Sequence, residues 1–254
     1  AEEAGVQPLF NAADVAAVME LFESVDYGNV LNPASDVQVR FRDAGHILGS
    51  SIIELWGDGK KVVFSGDLGN PPTPLLRPTE LIDEADYVLV ESAYGNRVHE
   101  DFKERKSMLE DQIEYVGRKG GVLMIPIFAL ERTQELLFEL NELMENKRVP
   151  LMPVFIDSPL AINATNVYKK YPEYFNKEAR YLIKSGDEVF KWPGLKMTKT
   201  VEESKAINDV NPPKVIVAGS GMSNGGRIRH HERRYLPDPN SVLLIIGYQV
   251  AGSL

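Results

Sequence analysis

The chain has 254 residues, 43% of them hydrophobic and 26% charged, so it is long enough to bury a core and ordinary in composition for a globular protein. It contains no Cys, which excludes disulfides and thiolate metal sites; any metal must rest on carboxylates and on His46, His99, His230 and His231. A net charge of −9 counts against a non-specific nucleic-acid coat but not against a channel with a local basic lining.

Asn11 to Glu23 read as an amphipathic helix, with Val15, Val18, Met19 and Phe22 at helical spacing and Asn11 as N-cap. DVQVRFRDAG alternates, Val37, Val39 and Phe41 on one face and Gln38, Arg40 and Arg42 on the other, as a half-buried strand does. SSIIELWG and KKVVFSGD predict two more strands, joined at DGK by a hairpin turn. The Pro-rich stretch Asn70–Glu80 reads as an exposed loop, and the continuous apolar run DYVLVESA as a strand buried on both faces.

The rhythm then changes. A helix is expected around Asp101–Arg118, followed by the strand GGVLMIPIF and the helix ALERTQELLFELNELMEN. The strand VPLMPVFIDSP, the helix LAINATNVYKKY and a mixed region to Asn211 come next. The strand KVIVAGSG, a helix through Arg227–Arg234 and the strand SVLLIIGY complete the series. Such alternation predicts an α/β unit with a mostly parallel sheet and right-handed crossovers. The change falls just after Tyr94–Arg97, dividing the chain into units 1–96 and 97–254. The apolar segment LLIIGYQVAGSL runs to the last residue, as a truncated chain would. No apolar run reaches the length of a membrane span, and the lack of Cys suits a reducing cytoplasm.

Three short segments carry residues suited to chemistry. In DAGHILGSS, His46 occupies a glycine-flanked turn between strands. In FSGDLGN, Asp67 leaves the end of an apolar strand, where the two oxygens of one carboxylate can bridge two metal ions. In VESAYGNR, Glu91 ends a strand. Taken singly, each has a plainer reading: a surface histidine, a turn-forming aspartate, a capping glutamate. A fourth segment, AGSGMSNGGRIRHHERRYLPDPN, follows an apolar strand and opens a helix. Its free backbone N–H groups would cradle an anion, with Arg227, Arg229, His230, His231, Arg233 and Arg234 adding positive charge. Alternatively its glycines serve close packing and its cations form a solvated helix face. A dinucleotide fingerprint is excluded by the glycine spacing.

As a series, AGHILGS, VVFSGDLGN, VLVESAYGNR, PIFALERTQELL, FIDSPLA, ESKAIN and GSGMSNGGRIRHH resemble the metallo-β-lactamase/β-CASP family of RNA-processing nucleases, which includes ribonuclease J and relatives of the messenger-RNA 3′-end endonuclease. The resemblance implies a partial metallo-β-lactamase domain joined to a β-CASP domain. It also implies catalytic roles for His46, Asp67 and Glu91, with His46 and Asp67 as metal ligands of a two-zinc centre. Ser220, Gly221, Ser223, Gly225 and Arg227 are implied as contacts to RNA phosphates. His99, in YGNRVHED, is expected to brace the second unit. The implied partner is RNA, taken as single-stranded, and a homodimer is admitted. Endonuclease and 5′-exonuclease both occur in the family, and RNA is not separated from DNA. The family's H-x-H-x-D-H motif and its later histidines are missing from this sequence. The chain alone is therefore expected to bind zinc weakly or not at all and to lack hydrolysis. A non-catalytic RNA-binding module is the second reading, and another hydrolase of the same metal fold the third.

Overall fold

The computed structural model describes residues 8–99 and 101–253. Helix α1 (Ala12–Met19) starts where Asn11 caps it: Asn11 Oδ1 accepts the N–H groups of Ala13 and Asp14 at 2.7 and 3.3 Å, and Asp14 answers with a bond to the Asn11 N–H. The helix stops short of Glu23, and Val15, Val18, Met19 and Phe22 are all exposed. Its apolar stripe has nothing to pack on among the described residues, so the expected burial is not found.

The first sheet runs β1 (Val30–Ala34), β2 (Val37–Asp43), β3 (Ser51–Gly57), β4 (Lys60–Phe64) and β5 (Tyr87–Leu89) in sequence order. Its first four strands are antiparallel neighbours, and β5 joins β4 in parallel. The DGK hairpin forms because Asp58 (φ 50) and Gly59 (φ 69) both take the left-handed conformation a two-residue turn needs. Strand β1 escaped the sequence reading because Pro33 marks it as a turn; at a sheet edge, Pro is tolerated. The run from Tyr87 corrects another expectation. It pairs on one side only, and Tyr87, Val88, Leu89 and Val90 are 60%, 60%, 54% and 62% exposed.

The Pro-rich stretch is also not the exposed loop it reads as. Leu75 and Leu76 are buried in the main core, and Asn176 fixes the backbone around them through Thr73, Pro74 and Leu75 carbonyls. Two adjacent leucines outweigh the flanking prolines, because burying each stabilises by roughly 2 kcal/mol.

The second sheet is wholly parallel, in the order β10 (Val242–Leu243), β6 (Val122–Pro126), β9 (Lys214–Ala218), β7 (Val154–Asp157) and β8 (Leu195–Met197). Every residue of β6, β7 and β9 is buried, as strands covered on both faces should be. Leu123, Ile125, Val154, Ile156, Val215 and Val217 face the large core built with α2 (Phe102–Lys119), α3 (Arg132–Glu145), α4 (Pro159–Tyr168) and α5 (Lys177–Lys184). Val122, Met124, Phe155 and Ile216 face the opposite way, toward Ile207 and the Ile228 of α7 (Ile228–Tyr235). A short helix α6 (Val201–Ala206) begins at a Thr200–Glu203 capping box. Helix α3 starts at Arg132 rather than Ala129, because Glu131 sits at φ 58 and breaks the helical path. The last strand spans only Val242–Leu243 of SVLLIIGY. No helix among the described residues is long and apolar enough to cross a membrane.

Candidate metal centre and glycine-rich loop

His46 and Asp67 come from different loops, one after β2 and one after β4, and two glycines let those loops meet. Gly69 donates its N–H to the Ala44 carbonyl at 2.8 Å, and a Cβ at Gly69 would lie 2.0 Å from the Gly45 oxygen. Gly45 (φ 63) in turn passes so close to Arg77–Thr79 that a Cβ there would stand 2.7 Å from the Thr79 nitrogen. The glycines of AGH and DLG are thus required by backbone contact. As a result His46 Nε2 lies 3.9 Å from Asp67 Oδ2, and both side chains stay accessible, at 37% and 77% exposed.

The His46 loop is closed on itself by Ser50, whose hydroxyl accepts the N–H groups of His46 and Ile47 at 3.1 Å each. Two tyrosines hold it from outside. Tyr27 donates to the Ser50 carbonyl at 2.8 Å, and the Tyr168 hydroxyl accepts the Leu48 N–H at 3.0 Å. Glu91 braces the other loop: its Oε1 takes the Leu68 N–H at 2.6 Å, and its own N–H donates to Ser65 Oγ at 3.0 Å. Glu91 therefore touches the backbone next to Asp67. The His99 ring packs edge-on against Tyr94, which meets Tyr248 in the same way.

In the glycine-rich loop, packing explains two glycines and leaves a third open. A Cβ at Gly226 (φ 74) would sit 2.3 Å from the Gly219 oxygen, and one at Gly221 would sit 2.7 Å from the Phe128 ring. A Cβ at Gly225 would meet nothing within 4 Å. The N–H groups of Ser220 and Ser223 bond to the Gly225 and Ser220 carbonyls, and the Ser223 hydroxyl donates to the buried Glu232. Those of Asn224, Gly225 and Gly226 have no hydrogen-bond partner among the described residues. The Ser220 hydroxyl bonds to Asn224 Oδ1 at 2.7 Å.

Arg227, expected at a phosphate, is engaged inside the protein. Its Nη1 is 2.7 Å from Asp157 Oδ1, and its guanidinium also reaches the Thr198 and Lys199 carbonyls at 3.2 and 2.8 Å. His231 is likewise buried, with Nε2 2.8 Å from Asp157 Oδ2. Burial alone would push the Asp157 carboxyl up. Hydrogen bonds from His231, Ser204, Thr198 and Arg227 outweigh it and hold the carboxyl at about 2. The solvated cations of the segment are Arg229, Arg233 and Arg234, with His230 beside them.

The Beta-Casp domain model matches residues 133–254. Over 248 residues, 98% of this chain and 57% of the relative, the sequence is 36% identical to Ribonuclease TTHA0252 of Thermus thermophilus. An RNase J-like protein of Methanocaldococcus jannaschii is 32% identical over 250 residues, 96% of this chain and 57% of the relative. Endoribonuclease YSH1 of Kluyveromyces lactis is 28% identical over 252 residues, 97% of this chain and 32% of the relative. The chain belongs to the metallo-β-lactamase/β-CASP family. It spans a little over half the length of the first two relatives.

For a β-CASP chain the question is whether the residues at hand can hold a metal. His46 and Asp67 supply two donors, and Glu91 is turned to the Leu68 N–H. Among the described residues no group of three or more His, Cys, Asp or Glu is placed to hold an ion. A zinc site needs three or four protein ligands. The described residues do not fit the ion. The sequence reading also missed how Asp157 organises the second unit. FIDSPLA marked where a strand gives way to a helix, but not that four partners would converge on one buried carboxylate.

Proposed function

We propose that this β-CASP chain is the RNA-handling part of a metal-dependent ribonuclease that cleaves phosphodiester bonds. In this reading His46 and Asp67 contribute to a metal centre completed by ligands beyond the described residues, with zinc as the ion. The glycine-rich loop meets the RNA backbone through the N–H groups of Asn224, Gly225 and Gly226. One observation carries the reading: the backbone contact at Gly45 and Gly69 that sets His46 and Asp67 side by side and leaves both accessible. A module that only binds RNA has no use for that contact. The ribonuclease names of the relatives support the same class of activity.

Elemental analysis of the purified chain and incubation with a labelled single-stranded RNA test this together. The expected result is zinc well below one ion per chain, RNA bound, and no cleavage. Stoichiometric zinc with cleavage would overturn the two-donor argument. A non-catalytic RNA-binding role is favoured by the shortage of ligands alone. It predicts that added zinc leaves the His46 imidazole undisturbed, whereas the nuclease reading predicts a response there.

A further inference from the structure

At the carboxyl ends of the second sheet, three loops lie side by side in the order of their strands. Gly247 follows β10, Phe128 follows β6 and Gly221 follows β9, and β6 lies between the other two strands. The connections leaving β6 and β9 run to opposite faces: Leu136, Leu137 and Leu140 of α3 join the large core, and Ile228 of α7 joins the smaller one behind the sheet. Adjacent strands whose connections part in this way open a crevice at their carboxyl ends, which is where α/β sheets take their ligands.

Phe128 stands at that crevice. Ile127 before it and Glu131 after it are buried, yet Phe128 is 43% exposed, so the ring projects from a segment that is otherwise anchored. It is gripped along one edge. A Cβ at Gly221 would lie 2.7 and 2.8 Å from the ring atoms Cδ2 and Cε2, and one at Gly247 would lie 4.0 and 3.9 Å from the same two atoms. Gln249 ties the flanking loops together, its side-chain amide donating to the Gly221 carbonyl at 2.8 Å and, more weakly, to the Gly247 carbonyl at 3.5 Å. Two glycines of these loops are required by neither conformation nor crowding. Gly225 and Gly247 both lie outside the left-handed region; a Cβ at the first would meet nothing within 4 Å among the described residues, and one at the second would make ordinary contact with the ring. Bare backbone beside a crevice admits a ligand that comes close.

We propose that Phe128 is a base-stacking residue: one base of a single-stranded RNA lies on its open ring while the adjoining phosphate meets the glycine-rich loop. This rests on the reading of the chain as RNA-handling and on no metal ion. Ring and loop are close, because Gly221 at the ring adjoins Ser220, whose N–H donates to the Gly225 carbonyl at 3.1 Å. The loop brings positive potential through the N–H groups of Asn224, Gly225 and Gly226, and through the exposed Arg229, whose Nη1 reaches the Ser223 carbonyl at 3.1 Å. An aromatic face beside an anion-binding backbone is the pairing by which proteins hold single strands, and it favours a polyanion here over an apolar protein surface. Every base has a π face, so the stacking carries no strict sequence preference.

The test is fluorescence anisotropy of the full chain with two labelled strands of equal length, an oligoadenylate and an abasic ribose-phosphate strand. The parent should bind the oligoadenylate more tightly, by about tenfold, since stacking on one ring contributes on that order. Phe128→Leu keeps an apolar contact with Gly221 but has no π face. It should remove the oligoadenylate advantage and leave the abasic strand bound as before, whereas Phe128→Tyr should retain the advantage. A Phe128→Leu loss that falls equally on both strands overturns the proposal, because the ring then only props the glycine-rich loop. An undiminished oligoadenylate advantage in Phe128→Leu overturns it as well. Should Phe128→Leu fail to fold, nuclear magnetic resonance of the parent decides: the Phe128 ring signals should move with the oligoadenylate and hold still with the abasic strand, and ring signals that ignore the oligoadenylate overturn the proposal. A parent that binds both strands alike sinks this inference and leaves the RNA reading standing. One that binds neither sinks both.

Discussion

At the scale of single residues, the glycines of this chain divide by what a methyl group would strike. A Cβ at Gly226 would meet the Gly219 oxygen at 2.3 Å, and the residue sits at φ 74, so Gly226→Ala should destabilise the fold by roughly 2–4 kcal/mol. Gly225 faces open space, so Gly225→Ala should leave stability within about 1 kcal/mol of the parent. If the N–H groups there meet a phosphate, the added methyl will nonetheless obstruct its approach. Fluorescence anisotropy with a labelled RNA strand should show at least a several-fold loss of affinity in Gly225→Ala. Undiminished binding would remove the loop from the RNA interface. Arg227 offers no such separation, because its substitution leaves the buried Asp157 short of a partner and unsettles the fold itself.

At the scale of elements, the start of α3 carries a pH dependence whose sign is fixed. The Glu131 carboxyl is raised from an ordinary 4.5 to about 8, so the folded chain holds its proton where the unfolded chain releases it. Its contribution is complete below the ordinary value and is lost as pH rises toward and through 8. Glu131→Gln keeps the shape without the charge. Urea unfolding at pH 5 and at pH 8.5 should therefore show the variant gaining on the parent by a few kcal/mol, on the order of 3, at the higher pH. Glu139, raised by burial to about 7, is present in both proteins and cancels in the comparison. An equal difference at the two pH values would mean that Glu131 is not buried as described. The same elements show what the sequence could convey. Strands β6, β7 and β9 were legible because burial on both faces leaves an unbroken apolar run. The hydrogen bonds that the Tyr168 hydroxyl makes, donating to Glu131 and accepting the Leu48 N–H, were not, since the partners are 37 and 120 residues from Tyr168 and nothing local in ALERTQ marks a helix that starts late. The series of glycine motifs located His46 and Asp67, but the reason for Gly69, a Gly45 oxygen that a Cβ there would meet at 2.0 Å, exists only in three dimensions.

At the scale of the whole molecule, the stripe of α1 and the run Tyr87–Val90, beside a sheet edge that pairs with no further strand among the described residues, are both apolar and exposed. The sequence reads the first as one face of an amphipathic helix and the second, from its continuous apolar run, as a strand buried on both faces, but a pattern reveals only that a face is apolar, not what covers it. Against association stands a net charge of −9. Between like-charged chains this repulsion acts over about 10 Å at 0.1 M salt and shrinks to about 3 Å at 1 M, while apolar contact is not screened. The two effects therefore exchange dominance as salt rises. Sedimentation velocity should find mainly monomer at low ionic strength and association that grows with both salt and protein concentration. Val88→Lys places a charge on the exposed edge strand, where it costs little in the folded monomer and opposes pairing with another edge. It should suppress the salt-driven association without lowering thermal stability by more than about 1 kcal/mol. A parent chain that stays monomeric at high salt, or a variant that associates as readily, would show that the open edge at β5 does not govern self-association.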